Sequence, residues 1–215
     1  MIVVFDVDGT LIGGESFDWT SFDAALADVA GFAPPPSYWE SLEEVTAQAI
    51  ARAASAGHPA DQREGIEARI QEAYLRNLSA AHKANPGAFQ PRPGVPQLLE
   101  RLSQVDGIGL AIATGDWHAT ITLKLSASGL DVRHIPMATC SDCVDRADII
   151  KLAAFRAGRS LQEAVYVGDG TWDFRACKKS SAFPLSGRAN EPTDCATRER
   201  LSLCLTFGPS RSGKC

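Results

Sequence analysis

The stretch "VVFDVDGTL", residues 3–11, decides how the rest of the chain reads. Ile2 to Phe5 form an unbroken apolar run, the pattern of a strand covered on both faces, and it ends in two aspartates, Asp6 and Asp8, followed by Gly9. A buried strand does not finish in two like charges unless something compensates them, because desolvating an unpaired carboxylate is costly. Side chains at i and i+2 of an extended segment project to one side, so both carboxylates enter one pocket. The compensation must come from elsewhere in the chain.

The bulk of the sequence narrows where it can come from. With 215 residues and 45% hydrophobic content, the chain has material for one sizeable core and an insertion. Its net charge is -5 and its longest cationic run is Lys178 and Lys179, so no nucleic acid and no membrane surface is expected as a partner. The first apolar run lacks a basic flank and is cut by Asp6, and no apolar segment approaches the roughly eighteen residues of a membrane span. A cytoplasmic protein is expected. Of the six cysteines, Cys140 and Cys143 make a lone C-x-x-C, while Cys177, Cys195, Cys204 and Cys215 are scattered. Without a second ligand pair this reads as free thiols rather than a zinc site.

Along the chain the hydrophobic period changes twice. Residues 15–84 carry apolar positions at helical spacing: Phe22, Leu26, Val29 and Ala30; Leu42, Val45, Ala49 and Ile50; Ile66, Ile70, Ala73, Tyr74 and Leu78. "APPPS" (33–37) and "GHP" (57–59) break them, which makes this block an all-helical insertion. "NPGAFQPRPGVP" (85–96) reads as a strand-free linker back to the core. Helices then alternate with strands: a helix at about 95–104, a strand over 109–114, a helix at about 118–128 and a short strand over 132–137. A helix at about 146–157, a strand over 163–168 and a helix from about 172 follow. Alternation of this kind predicts an α/β fold, a three-layer, Rossmann-like parallel sheet with right-handed crossovers, formed by residues 1–14 and 85–215 around the insertion. After about Ser186 only "LSLCLTF" (201–207) has strand character.

In an open parallel sheet, ligands bind beyond the carboxyl ends of the strands. The polar residues that end these strands are Asp6 and Asp8, Thr114 and Asp116, and Asp169 and Asp173 of "GDGTWD" (168–173). Three or four carboxylates on one rim repel, and a hard divalent cation such as Mg²⁺, with its preference for oxygen ligands, is the natural remedy.

These pieces resemble the haloacid dehalogenase-like (HAD) hydrolases, specifically their phosphatase branch, in which phosphoglycolate phosphatase-like members carry a helical cap after the first motif. The resemblance spans Ile2 to about Lys179 and rests on "DVDGT" (6–10), Thr114 in "IATGD", a basic residue before the last motif, and "GDGTWD". It implies a mobile cap, Mg²⁺ dependence and an aspartyl-phosphate intermediate. Asp6 would be the nucleophile, and Asp8 the acid that protonates the leaving oxygen and later activates water. Thr114, Gly115 and Arg146 would contact the phosphoryl oxygens. Asp6, Asp169 and the backbone carbonyl of Asp8 would hold the metal, with Asp173 orienting from outside.

Two residues compete for the basic position. Asp145 reads as an N-cap with Asp148 three positions on, which places Arg146 at the opening of a helix, where an anionic ligand is favoured. Lys151 is the residue type usual in the family, but it lies roughly 140° around that helix, so both cannot face one phosphate. Arg146 stands 23 positions before Asp169, which matches the family's gap better, and it is favoured with Lys151 as the alternative.

The presence of Asp8 disfavours the dehalogenase branch, which lacks a second aspartate. The expected function is Mg²⁺-dependent hydrolysis of a small phosphorylated metabolite by a monomer or homodimer. A phosphosugar mutase uses the same aspartate pair, and a catalytically retired binding module is the remaining alternative. His118 reads as a local contact, Trp172 as packing beneath the acidic residues, and Trp19 and Trp39 as core of the insertion.

Overall fold

A computed structural model of the chain describes residues 1–35, 38, 42–180 and 182–186, the last four by their backbone. Five strands, β1 (Ile2–Phe5), β2 (Gly109–Ala113), β3 (Met137–Ala138), β4 (Ala164–Gly168) and β5 (Phe183–Ser186), form one all-parallel sheet in the order β3-β2-β1-β4-β5. β1 is central, and Ile2, Val3, Val4 and Phe5 are all buried, each side chain contributing roughly 1.5–3 kcal/mol by leaving water. The continuous apolar run thus follows from covering on both faces, as parallel strands require.

The α-helices that frame the sheet are α1 (Glu15–Ala30), α2 (Ala47–Ser55), α3 (Arg63–Ala84), α4 (Val95–Ser103), α5 (His118–Ser128), α6 (Arg146–Arg156) and α7 (Thr171–Ser180). α6 lies on β1, β2 and β3, and it packs against α7, which covers β4 and β5. The strand order reverses direction at β1, so a crevice opens between the carboxyl ends of β1 and β4.

α1, α2 and α3 are inserted between β1 and α4, with α1 packed along α3 and α3 reaching α5. Where the insertion begins and ends, its two connections run side by side. Ile12 forms an antiparallel bridge with Pro91, Gly13 N–H donates to the Gln90 carbonyl at 2.9 Å, and Arg92 N–H donates to Leu11 at 2.9 Å. Phe89 is fully buried beside them. The segment expected as a structureless linker is therefore strapped to the exit of β1.

Three details differ from the sequence reading. The strand expected over 132–137 is only Met137–Ala138, because Ile135 N–H closes a turn on the Val132 carbonyl and both side chains serve as buried loop anchors. Leu42 and Val45 precede α2 rather than sharing its face; the helix starts after Thr46, whose hydroxyl caps it by accepting from Ala49 N–H at 3.2 Å. β5 has no counterpart in the sequence reading. It contains Pro184, and an edge position tolerates a proline because one side of the strand needs no ladder donor. The possible strand over 201–207, Trp39, and Cys195, Cys204 and Cys215 lie outside the described residues.

Candidate active site

The register of the sheet assembles the site. Phe5 pairs with Ile112 on one side and Val167 on the other, so the residues just past all three strands meet on one rim. Asp6 stays in the ladder by donating its N–H to the Val167 carbonyl at 2.8 Å. The chain then turns at once: the N–H groups of Thr10, Leu11 and Ile12 all converge on the Val7 carbonyl. That turn needs Gly9 at φ 80°, and a Cβ there would also run into the Asp169 carboxylate. "DVDGT" is thus a tight turn that presses the tip of β1 against the tip of β4.

Asp6, Asp169 and Asp173 each bring a carboxylate oxygen into one group, all within 4.8 Å of one another. Burial first, then the neighbouring Asp173 charge, holds the Asp6 carboxyl well above its ordinary range, and the Arg146 guanidinium offsets only part of this. An all-oxygen, all-carboxylate donor set with excess negative charge suits a hard divalent cation best. Asp173 brings an oxygen into this group, and its carboxylate accepts from Arg146 at 2.9 Å, from the Tyr166 hydroxyl at 3.2 Å and from Gly170 N–H at 3.0 Å.

Arg146 is buried at the first turn of α6, after Asp145 caps the helix by accepting from Ala147 N–H at 2.7 Å. Its guanidinium donates to Asp6 at 3.3 Å, to Asp173 at 2.9 Å and to the Val45 carbonyl at 2.8 Å, while its Nε has no partner among the described residues. A Cβ on Gly115 would collide with this guanidinium, which explains the glycine of "ATGD". Thr114 is buried beside it and accepts from Asp116 N–H at 3.2 Å. Lys151 is not brought to the site. Its side chain is 48% exposed on the outer face of α6 and pairs with Asp148 at 2.8 Å, as the angular separation from Arg146 requires.

The Asp8 side chain turns away from the other three carboxylates toward Lys124 of α5. The Lys124 ammonium is fully buried and lies 2.7 Å from Asp8, 2.7 Å from Asp18 of α1 and 2.8 Å from Asp116. Asp18 also accepts a short hydrogen bond from the Tyr74 hydroxyl of α3. Burial alone would lower the lysine's pKa; Asp116, Asp18 and Asp8 together outweigh it and raise it, so the ammonium stays charged. Asp8 itself is pushed up to about 7 by burial, with Lys124 pulling the other way.

Lys124, Asp18 and Tyr74 were invisible to a reading confined to strand ends. The helical period held a signal for the first: Thr120, Ile121, Lys124, Leu125 and Ser128 are all buried, so Lys124 sits in the middle of the inward stripe of its helix. Trp19, expected in the core of the insertion, is partly buried against the core and also lines the cavity over the strand tips, where it meets Trp172 edge-on with centroids 6.5 Å apart. Trp172 likewise packs against the core and lines the cavity. Cys140, Cys143 and Cys177 are free thiols, and burial raises all three.

The haloacid dehalogenase-like hydrolase family model matches residues 3–183. A phosphoglycolate phosphatase of Agrobacterium fabrum is 28% identical over 191 residues, covering 86% of this chain and 79% of its own. Among solved structures, a hydrolase from Pseudomonas syringae superposes with a TM-score of 0.66 at 22% identity, covering 93% of this chain and 90% of that one. CbbY from Rhodobacter sphaeroides, solved with phosphate, gives 0.66 at 24% identity and covers 90% of each chain. No helix among the described residues is long and apolar enough to cross a membrane.

Proposed function

This chain belongs to the haloacid dehalogenase-like hydrolases, and from that premise we propose that it is a divalent-metal-dependent phosphomonoesterase acting on a small phosphorylated metabolite. One observation carries the reading: Asp6, at the tip of the central strand, stands 3.3 Å from Arg146 and within 4.8 Å of the oxygens of Asp169 and Asp173. This is a nucleophile set between a cation and a metal-binding carboxylate group, the layout that phosphoryl transfer asks for.

In this reading Asp6 attacks phosphorus and the ester bond to the leaving oxygen breaks, with Asp8 giving that oxygen its proton. Water then attacks the aspartyl-phosphate, Asp8 takes the water's proton, and inorganic phosphate leaves with Asp6 restored. Lys124 holds one oxygen of Asp8, which fixes the carboxyl at the mouth of the site while the other oxygen exchanges the proton. Arg146, through Nε and the guanidinium edge, and Thr114 neutralise the phosphoryl oxygens. Asp6, Asp169 and Asp173, with the Asp8 carbonyl, would hold Mg²⁺, which supplies charge neutralisation at the transferred group. The helical insertion acts as the cap, closing over the cavity through the Asp18–Lys124 and Arg146–Val45 contacts.

Phosphate release from a panel of esters, measured for the wild type and Asp6→Asn with and without Mg²⁺, tests the reading. Activity that is lost in Asp6→Asn and abolished by chelation supports it. Equal activity in both proteins, or an isomeric sugar phosphate in place of inorganic phosphate, overturns it, the latter in favour of a mutase.

A further inference from the structure

The cavity over the strand tips, about 230 Å³, is lined on its inner side by the groups that meet the phosphoryl end of a substrate and on its outer side by the helical insertion. Arg146 is the one cationic residue among the described residues that line it. Its guanidinium is committed to Asp6, Asp173 and the Val45 carbonyl, so it serves one phosphoryl group and nothing beyond it. Lys124 adds no free charge, being fully buried with three carboxylates within 2.8 Å.

The outer wall has the opposite character. It presents two carboxylates, Glu15 and Asp18, and the rings of Trp19, Phe22 and Tyr74, with Ile50 beside them. Glu15 is already paired with Arg92, which does not line the cavity. A carboxylate or second phosphate on the leaving group would therefore lose its water beside Glu15 and Asp18, whose own countercharges, Arg92 and Lys124, are already engaged, with no uncommitted cation among the described residues of the wall. Rings and carboxylates together instead suit a neutral body or an ammonium, which the ring faces also attract.

Resting on the phosphatase reading above, we propose that the substrate's leaving group carries no negative charge: it is a neutral or ammonium-bearing alcohol, and esters with a second anionic group are excluded. This separates the chain from its Agrobacterium relative, whose named substrate carries a carboxylate.

Three two-carbon esters of matched size test it: 2-hydroxyethyl phosphate, 2-aminoethyl phosphate and 2-phosphoglycolate, with p-nitrophenyl phosphate as a general probe. The expected kcat/KM is about 100-fold lower for phosphoglycolate than for the neutral and ammonium esters, the scale of one anionic group desolvated without a partner of its own. Trp19→Lys, which places a cation on the outer wall, is expected to shift the ratio toward phosphoglycolate at least tenfold, the effect of one added charge partner. Phosphoglycolate turned over as well as or better than the other two by the wild type overturns the inference while the phosphatase reading stands. No phosphate released from any ester, p-nitrophenyl phosphate included, overturns the phosphatase reading and the inference with it.

Discussion

The Lys124 ammonium lies 2.7 Å from the Asp8 carboxylate, joining the middle of α5 to the turn that follows β1 across 116 residues of sequence. The same nitrogen holds Asp18 of the insertion and Asp116 beyond β2, so three carboxylates from three parts of the chain share one buried cation. Such a hub is costly to form, because each ion gives up its water, and far more costly to break.

Lys124→Met should therefore destabilise the protein by about 3–5 kcal/mol, since it leaves Asp8, Asp18 and the buried Asp116 without their shared countercharge. Urea unfolding midpoints at neutral pH measure it. Adding Asp116→Asn to that variant removes one unpaired charge and is expected to recover part of the loss. A single variant as stable as the wild type would show that the ammonium is not the keystone of this cluster.

Gly115→Ala isolates geometry from charge. The new Cβ would meet the Arg146 guanidinium and stand 3.1 Å from the Val45 carbonyl, so the arginine must shift within the site. A displacement on the order of 1 Å costs about 100-fold in turnover when a group aligns reacting atoms. Steady-state kcat should fall by that order, while the melting temperature moves by less than about 4 °C, the shift that 1 kcal/mol produces in a domain of this size.

Arg146→Lys and Lys151→Ala distinguish the two basic candidates. A lysine at 146 keeps the charge but loses the fork that reaches Asp6, Asp173 and Val45 together, so turnover should drop at least 10-fold with the fold retained. Lys151→Ala removes an exposed pair with Asp148 and should stay within about 0.5 kcal/mol of the wild type in stability, with unchanged kcat. The reverse ranking of kcat would move the phosphate contact to Lys151.

The architecture was legible because strand and helix periods alternate cleanly after residue 95, and because apolar runs that end in Asp or Thr mark the carboxyl ends of parallel strands. β3 and β5 escaped for opposite reasons. Val132 and Ile135 look like a strand but anchor a turn, whereas β5 is four residues with a proline and carries no period of its own. In the site, Asp6, Thr114, Arg146, Asp169 and Asp173 all follow strand ends or open a helix, where one-dimensional reasoning looks. Lys124, Asp18 and Tyr74 come together only when α1, α3 and α5 pack, a tertiary event with no local pattern. A lysine in the inward stripe of its helix, between Ile121 and Leu125, is the one trace it leaves, and a search for such inward-facing charges recovers it.

The pH dependence of kcat/KM ties the hub to the proposed chemistry. Asp8 is pushed up to about 7 by burial, with Lys124 opposing, so its acid form is the major one below that pH. Protonating an alkoxide leaving group uses the acid form, so kcat/KM for an alkyl phosphate should fall as pH rises through about 7. An ester of p-nitrophenol needs little protonation on leaving, and its alkaline decline should be shallower. Removing the ammonium removes the influence that lowers the Asp8 pKa, so any folded Lys124→Met enzyme should carry its decline at higher pH than the wild type. A wild-type profile that rises through pH 7 for the alkyl ester would remove Asp8 from the role of acid.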